Sequence, residues 1–200
     1  NGGVGDRAKG ETSKVSLWSV ETAKEIKTTS FGDASVDTIA VSKANDIVAL
    51  SSGERVMIWR PNENRREDPF EGSFGDIGAL ALINDSTLLF GSETGNVGSV
   101  EESGKLRSVL QAFAEDLENP EPIARISPSR DSRGVLITSG RGRVSLLDLV
   151  TAKLTEPFGR RSDIIDAGFL QEAGMLVAVS ADGVVMLASF GRSTPRARAT

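Results

Sequence analysis

Residues 15–27 read Val-Ser-Leu-Trp-Ser-Val-Glu-Thr-Ala-Lys-Glu-Ile-Lys: an apolar strand, a polar turn and a second short strand. The opening tetrad, Val15-Ser16-Leu17-Trp18, is echoed by Val56-Met57-Ile58-Trp59, Val97-Gly98-Ser99-Val100, Val144-Ser145-Leu146-Leu147 and Val184-Val185-Met186-Leu187. From first Val to first Val the steps are 56−15=41, 97−56=41, 144−97=47 and 184−144=40 residues. A return at about 40–45 residues, with several strands in each unit, predicts a radial array of four-stranded sheets.

Working outward, each unit shows the same plan. Val36-Asp37-Thr38-Ile39-Ala40-Val41 alternates as a half-buried strand does, and Asn45-Asp46 turns the chain into the apolar run 47–50. Gly53-Glu54 turns it again into Val56-Met57-Ile58-Trp59. The fourth strand of that unit is weak: Pro61, Pro69 and the charged residues between them predict a long loop and a short edge strand near Phe70. The next unit repeats the plan through 77–83, 87–90, 97–101 and 106–110. An acidic stretch with prolines, 114–122, accounts for the 47-residue step. Strands over 123–126, 135–138, 144–149 and 153–158 follow, then 164–170, 175–179 and 184–190. Residues 109–117 are the one weak helical candidate, so the chain reads as all-β.

The domain plan is a loop over 1–14, a repeat segment over 15–190 and a basic linker or tail over 191–200. The units fall at about 15–30, 36–71, 77–111, 122–158 and 164–190: four four-stranded blades, the last short of its outer strand, preceded by two strands of another.

These repeats resemble WD-repeat β-propellers. In that family the third strand ends in Trp-Asp; here the pair reads Trp18-Ser19, Trp59-Arg60, Val100-Glu101, Leu147-Asp148 and Leu187-Ala188. The family's Gly-His ahead of the first strand is matched by Gly32-Asp33, Gly75-Asp76 and Gly159-Arg160, each after a Phe. A Ser closes the second strand as Ser52, Ser92, Ser139 and Ser180, and Asp182 stands where the family has its turn Asp. With no His in the chain, the family's buried His-Ser-Asp-Trp hydrogen-bond set cannot form in its usual way. The resemblance implies a ring of about seven blades, so the remaining blades are expected N-terminal to Asn1, C-terminal to Thr200, or both. It also implies a non-catalytic scaffold that presents loops to partner proteins.

Composition narrows the chemistry. The formal net charge is −5 and the pI about 5.0, which argues against wholesale nucleic-acid binding. Zero Cys removes disulfides and thiolate chemistry; zero His removes the commonest general base and metal ligand. No apolar run approaches the ~18 residues a membrane helix needs. The start, Asn1-Gly2-Gly3, reads as a cut inside a larger protein, and a cytoplasmic setting is the expectation.

Several strings suggest chemistry and fail on mechanism. Residues 5–12 look like a phosphate loop but carry Glu11 where Lys is needed. Ser92 within Gly91-Ser92-Glu93-Thr94-Gly95 has no His to activate it. Glu115, Asp116, Glu118 and Glu121 lack the Gly-centred spacing of a calcium loop, and Asn84-Asp85-Ser86 is a sequon that matters only in a secreted chain. Trp18 and Trp59, at blade-periodic positions, read as inter-blade core.

The candidate binding set is basic. Turns between second and third strands share a face with the connections from one blade to the next. Arg141 and Arg143 fall in the first kind, Arg160 and Arg161 in the second, so all four are expected on one face near the channel. They could take an acidic peptide or phosphate, unless the 115–121 loop neutralises them. Asp33 and Asp76, beside Gly in successive units, are the nearest candidates for channel carboxylates. They would serve the alternative readings, an enzymatic or cofactor-binding propeller or a regulatory segment of a larger enzyme. The leading expectation is no enzyme, no cofactor and no metal. Its partners are other proteins or peptides, acidic or phosphorylated ones included, and the remaining blades.

Overall fold

A computed structural model describes residues 13–32, 35–42, 46–71, 73–84, 87–101, 105–113, 119–170 and 174–190. Among these described residues seventeen strands form five antiparallel sheets in strict chain order, with no crossover. The first is the pair β1 (Lys14–Ser19) and β2 (Lys24–Ser30). Three four-stranded sheets follow. They are β3 (Thr38–Val41), β4 (Val48–Ser52), β5 (Arg55–Arg60), β6 (Arg65–Glu71); β7 (Ile77–Asn84), β8 (Thr87–Ser92), β9 (Asn96–Glu101), β10 (Leu106–Gln111); and β11 (Ile123–Pro128), β12 (Gly134–Ser139), β13 (Val144–Asp148), β14 (Lys153–Thr155). The last sheet has β15 (Ile164–Leu170), β16 (Met175–Ser180) and β17 (Val185–Ser189). Among the described residues there is no helix, hence none long and apolar enough to cross a membrane.

The second and third strands are apolar on both parities because both faces of a middle sheet are covered. β4 and β12 are buried at nearly every position. Four separate cores lie between successive sheets. Val48, Leu50, Met57 and Trp59 pack on Val15 and Leu17; Ala49 and Val56 pack with Ile77, Leu88 and Phe90. Ala79, Ala81 and Leu89 meet Ile123, Ile126 and Val135, and Leu136 and Val144 meet Ile164, Leu176 and Ala178. The inner strands β3, β7 and β11 pack in succession, and β12 reaches β15. This is the radial stacking of propeller blades, each too thin to bury itself. Glycine is required at Gly91, where a Cβ would come within 2.4 Å of the Ile123 side chain of the next blade.

Three local expectations are corrected. The loop after β5 is only the turn at Pro61–Asn64, and β6 starts at Arg65 rather than near Phe70. Backbone pairing with β5 is indifferent to charged side chains on an outermost strand. Pro69 is accommodated because the register shifts between Val56 and Ile58, leaving an irregularity that needs no N–H from it. The helical candidate over 109–117 is strand through Gln111, with 114–118 outside the described residues. Trp18 is 58% exposed whereas Trp59 is 1% exposed. The Trp at the end of a third strand faces the preceding sheet. Trp59 meets Val15 and Leu17 there, while no described sheet precedes β1.

Candidate functional site

The second-to-third-strand turn of the β11–β14 blade is set by one hydroxyl. Ser139, 3% exposed, accepts N–H bonds from Arg141 (3.3 Å) and Arg143 (3.0 Å) on its Oγ. Gly142 adopts φ +82°, and a Cβ there would lie 2.8 Å from the Ile164 carbonyl oxygen, so this turn presses on the start of the next blade. Arg143 is thereby aimed inward, its side chain only 14% exposed.

Two connections between blades meet it. Nη1 of Arg143 donates to Glu121 Oε1 at 3.2 Å, from the segment leading into β11, and Nη2 donates to Glu156 Oε1, just beyond β14. The guanidinium lies 5.0 Å from the ring centroid of Phe113. Burial by itself would lower the Arg143 pKa, but the hydrogen bonds to Glu156 and Glu121 outweigh it and raise the pKa above its ordinary value. Nε of Arg143 and Oε2 of Glu121 are buried without a protein partner, places suited to bridging water.

The other candidates are engaged as well. Arg160 Nε lies 3.5 Å from Glu156 Oε2, so Glu121, Arg143, Glu156 and Arg160 alternate in sign along one chain of contacts. Arg141 donates to Asn119 Oδ1 at 2.8 Å. Arg161 forms a fork with Asp163, Nε to Oδ1 at 2.8 Å and Nη2 to Oδ2; the hydrogen bond raises the arginine pKa and lowers that of Asp163. Thus Arg141, Arg143 and Arg160 are gathered by residues of two connections, whereas Arg161 is held within its own loop. Glu121 is the member of the acidic stretch that meets them; Glu115, Asp116 and Glu118 lie outside the described residues.

Asp33 also lies outside the described residues, as do the phosphate-loop-like string 5–12, the 191–200 tail and Asp85-Ser86 of the sequon. Asp76 is exposed, and its carbonyl oxygen accepts the Glu93 N–H at 2.9 Å. Register shows which residues share its position. Ile77 pairs Ser92, Thr38 pairs Ser51 and Ile164 pairs Ser180, so the residues just ahead are Asp76, Asp37 and Asp163. Asp37 binds its own turn, accepting the Gly53 N–H at 2.7 Å. The same register replaces Ser52 by Ser51 as the periodic serine; Ser51 is fully buried and donates to the Ile77 carbonyl of the next blade at 2.8 Å. Pairing opposite the first strand, rather than the Gly-Asp dipeptide, is the signal that finds these positions. Ser92 is fully buried and bonds Thr94 Oγ1 at 2.9 Å. Among the described residues no group of His, Cys, Asp and Glu is placed to hold a metal ion.

At the other end of the strands the turns are held in the same manner. Ser42 Oγ accepts the N–H groups of Asp46 and Ile47; Ser129 Oγ accepts those of Arg133 and Gly134. Asp148 Oδ1 accepts from Val150 and Thr151, and Ser19 Oγ accepts from Thr22. The last two turns share Thr-Ala-Lys, at 22–24 and 151–153, with Ala23 and Ala152 at φ +51° and +54°.

No protein-family profile matches the sequence, and no curated protein does either. Among solved structures the chain is similar to U3-55K, with TM-score 0.68 and 17% identity over 90% of this chain and 55% of that one. It is equally similar to Kluyvelomyces marxianus Hsv2, with TM-score 0.68 and 16% identity over 94% of this chain and 56% of that one. The chain therefore spans little more than half the length of either. At such identities the likeness is one of fold, and the fold is that of a β-propeller.

Proposed function

We propose that this chain is an interaction module of the WD-repeat type, whose turns present a rigid surface to partner proteins. The observation that carries the reading is the treatment of the turns. At both ends of the blades, buried or partly buried Ser and Asp side chains hold turn N–H groups: Ser42, Ser129, Ser139 and Asp148 among them. Turns fixed in advance lose little entropy on docking, which favours recognition. The recurring serine and the two Thr-Ala-Lys turns support the WD-repeat assignment.

In this reading the outermost blade faces belong to a larger ring. Val185 and Leu187 are 63% and 58% exposed where their counterparts Val144 and Leu146 in the β11–β14 blade are buried, and Ile39 and Val41 are 50% and 49% exposed on β3, which only the two-stranded β1–β2 sheet precedes. Further blades would bury them.

Photo-crosslinking tests the module reading. A crosslinking residue placed singly at Val20, Glu93 or Arg141 should yield discrete adducts with partner polypeptides in cells. The same residue at Leu136, 1% exposed inside a blade, should yield none. No adduct from any turn position would sink the reading.

A further inference from the structure

Between the β11–β14 and β15–β17 sheets, at the end opposite the arginine network, lies a groove of about 830 Å3. Its floor is apolar. Leu146 and Met175 flank Phe169 and Phe190, whose rings meet edge-on with centroids 4.9 Å apart, and Phe190 lies over Gly134, where a Cβ would touch the ring at 2.4 Å. Its rim carries Arg130, Arg133 and Lys153 on the two turns of the β11–β14 blade.

Two carboxylates share that rim, and both are turned to their own backbone. Asp131 accepts Ser129 Oγ–H at 2.7 Å and the Arg133 N–H at 3.2 Å; Asp148 accepts the N–H groups of Val150 at 2.8 Å and Thr151 at 3.0 Å. Each is held below the ordinary carboxylate range first by those bonds, Asp131 by Ser129 and Asp148 by Thr151, with the Arg133 cation a smaller influence on both. Among the described lining residues, three cations and two carboxylates give 3−2=+1, on a chain whose formal net charge is −5.

We propose that this groove binds an acidic peptide segment of a partner protein. One bulky apolar side chain sits on the Phe169–Phe190 floor, and flanking carboxylates face Arg133 and Lys153. A bare phosphate would leave the apolar floor in water, and an uncharged apolar peptide would leave the cationic rim without complement. The volume lies within the range of about 300–1,000 Å3 common to binding pockets. The proposal rests on the interaction-module reading and names its site and partner chemistry.

The test is fluorescence anisotropy on the full chain, with a labelled peptide carrying one Phe between pairs of glutamates. Binding should weaken tenfold or more with Lys153→Glu, and further with Arg133→Glu added. It should weaken similarly when Ala replaces the peptide's Phe or lysines replace its glutamates. Lys24→Glu is the control, because Lys24 holds the same place as Lys153 in the other Thr-Ala-Lys turn and does not line the groove. Unfolding midpoints matching the parent chain show that the variants fold. Absence of binding at millimolar peptide, or equal affinity in parent and Lys153→Glu, overturns the groove. Crosslinks from Val20, Glu93 or Arg141 would in that case leave the module reading standing, so the two failures are separable.

Discussion

The two ends of the β11–β14 blade hold similar numbers of cations and use them in opposite ways. At one end Arg143 is drawn under Phe113 and between Glu121 and Glu156, Arg160 shares Glu156, and Arg141 meets Asn119. At the other, Arg133 and Lys153 stand exposed on the rim of a groove, and the nearby carboxylates are engaged by turn backbone. The difference lies in the connections. Segments joining blades bring glutamates to the first end, whereas the tight turns at the second bring aspartates that bind turn N–H groups first and attract Arg133 only through space. A cluster of arginines is therefore a binding surface or an internal staple according to what the connecting segments deliver.

Removing the staple should have the largest effect. Arg143→Leu leaves Glu121, 12% exposed, without its cation and Glu156, 24% exposed, with Arg160 alone. A loss of about 3 kcal/mol or more is expected, read as a lowered urea midpoint with unchanged slope. A cost under about 1 kcal/mol would show that the network is solvated and that the contrast between the ends is false. Next comes Ser129→Ala. Its hydroxyl, in a residue 4% exposed, donates to Asp131 and accepts from Arg133 and Gly134, so about 1–2 kcal/mol should be lost, with the groove rim loosened.

Titration sharpens the same point. The Ser129 hydroxyl, then the Arg133 N–H, hold the Asp131 pKa below its ordinary value, so the folded state favours the ionised form. That contribution to stability is complete above the unfolded carboxylate range near 4 and fades as pH falls through the lower folded value. Carboxyl-carbon NMR should place Asp131 below the ordinary range, and Ser129→Ala should move it up. An Asp131 that titrates normally in the parent chain would remove the argument that its lone pairs are occupied. Smaller again is Arg161→Gln. Its fork with Asp163 is about two-fifths exposed on both sides and held within one loop, so only a slight drop in the urea midpoint is expected, vanishing with added salt. The smallest is Ala152→Gly. The left-handed φ of +54° suits glycine, and relief there is offset by backbone entropy, leaving a net change of at most about 0.5 kcal/mol.

Much of this was open to reading. The Val-to-Val period of 40–47 residues locates every third strand, and the serine that closes the second strand marks three of the four turns that follow. In the β3–β6 blade Ser51 rather than Ser52 takes the buried place, which pairing shows and the spacing to the periodic Val also carries, since 56−51, 97−92 and 144−139 are each 5. The Thr-Ala-Lys turns at 22–24 and 151–153 were also legible as a repeat. The arginines of the candidate site stood out as residue types, but their partners did not. Glu121 and Glu156 lie 22 and 13 residues from Arg143 and arrive from opposite directions.

The amino-acid sequence by itself determined the blade repeat, the all-β class and the places of the turns. These follow from local alternation, turn chemistry and a period, each carried by residues close together in the chain. Only the tertiary structure decided which cations are consumed and which face outward. That choice depends on where connections cross the blades and what they bring within a few ångströms, and no local pattern encodes such distances. The same holds for Trp18 and Trp59, alike in sequence, where stacking against a neighbouring sheet buries one and leaves the other exposed.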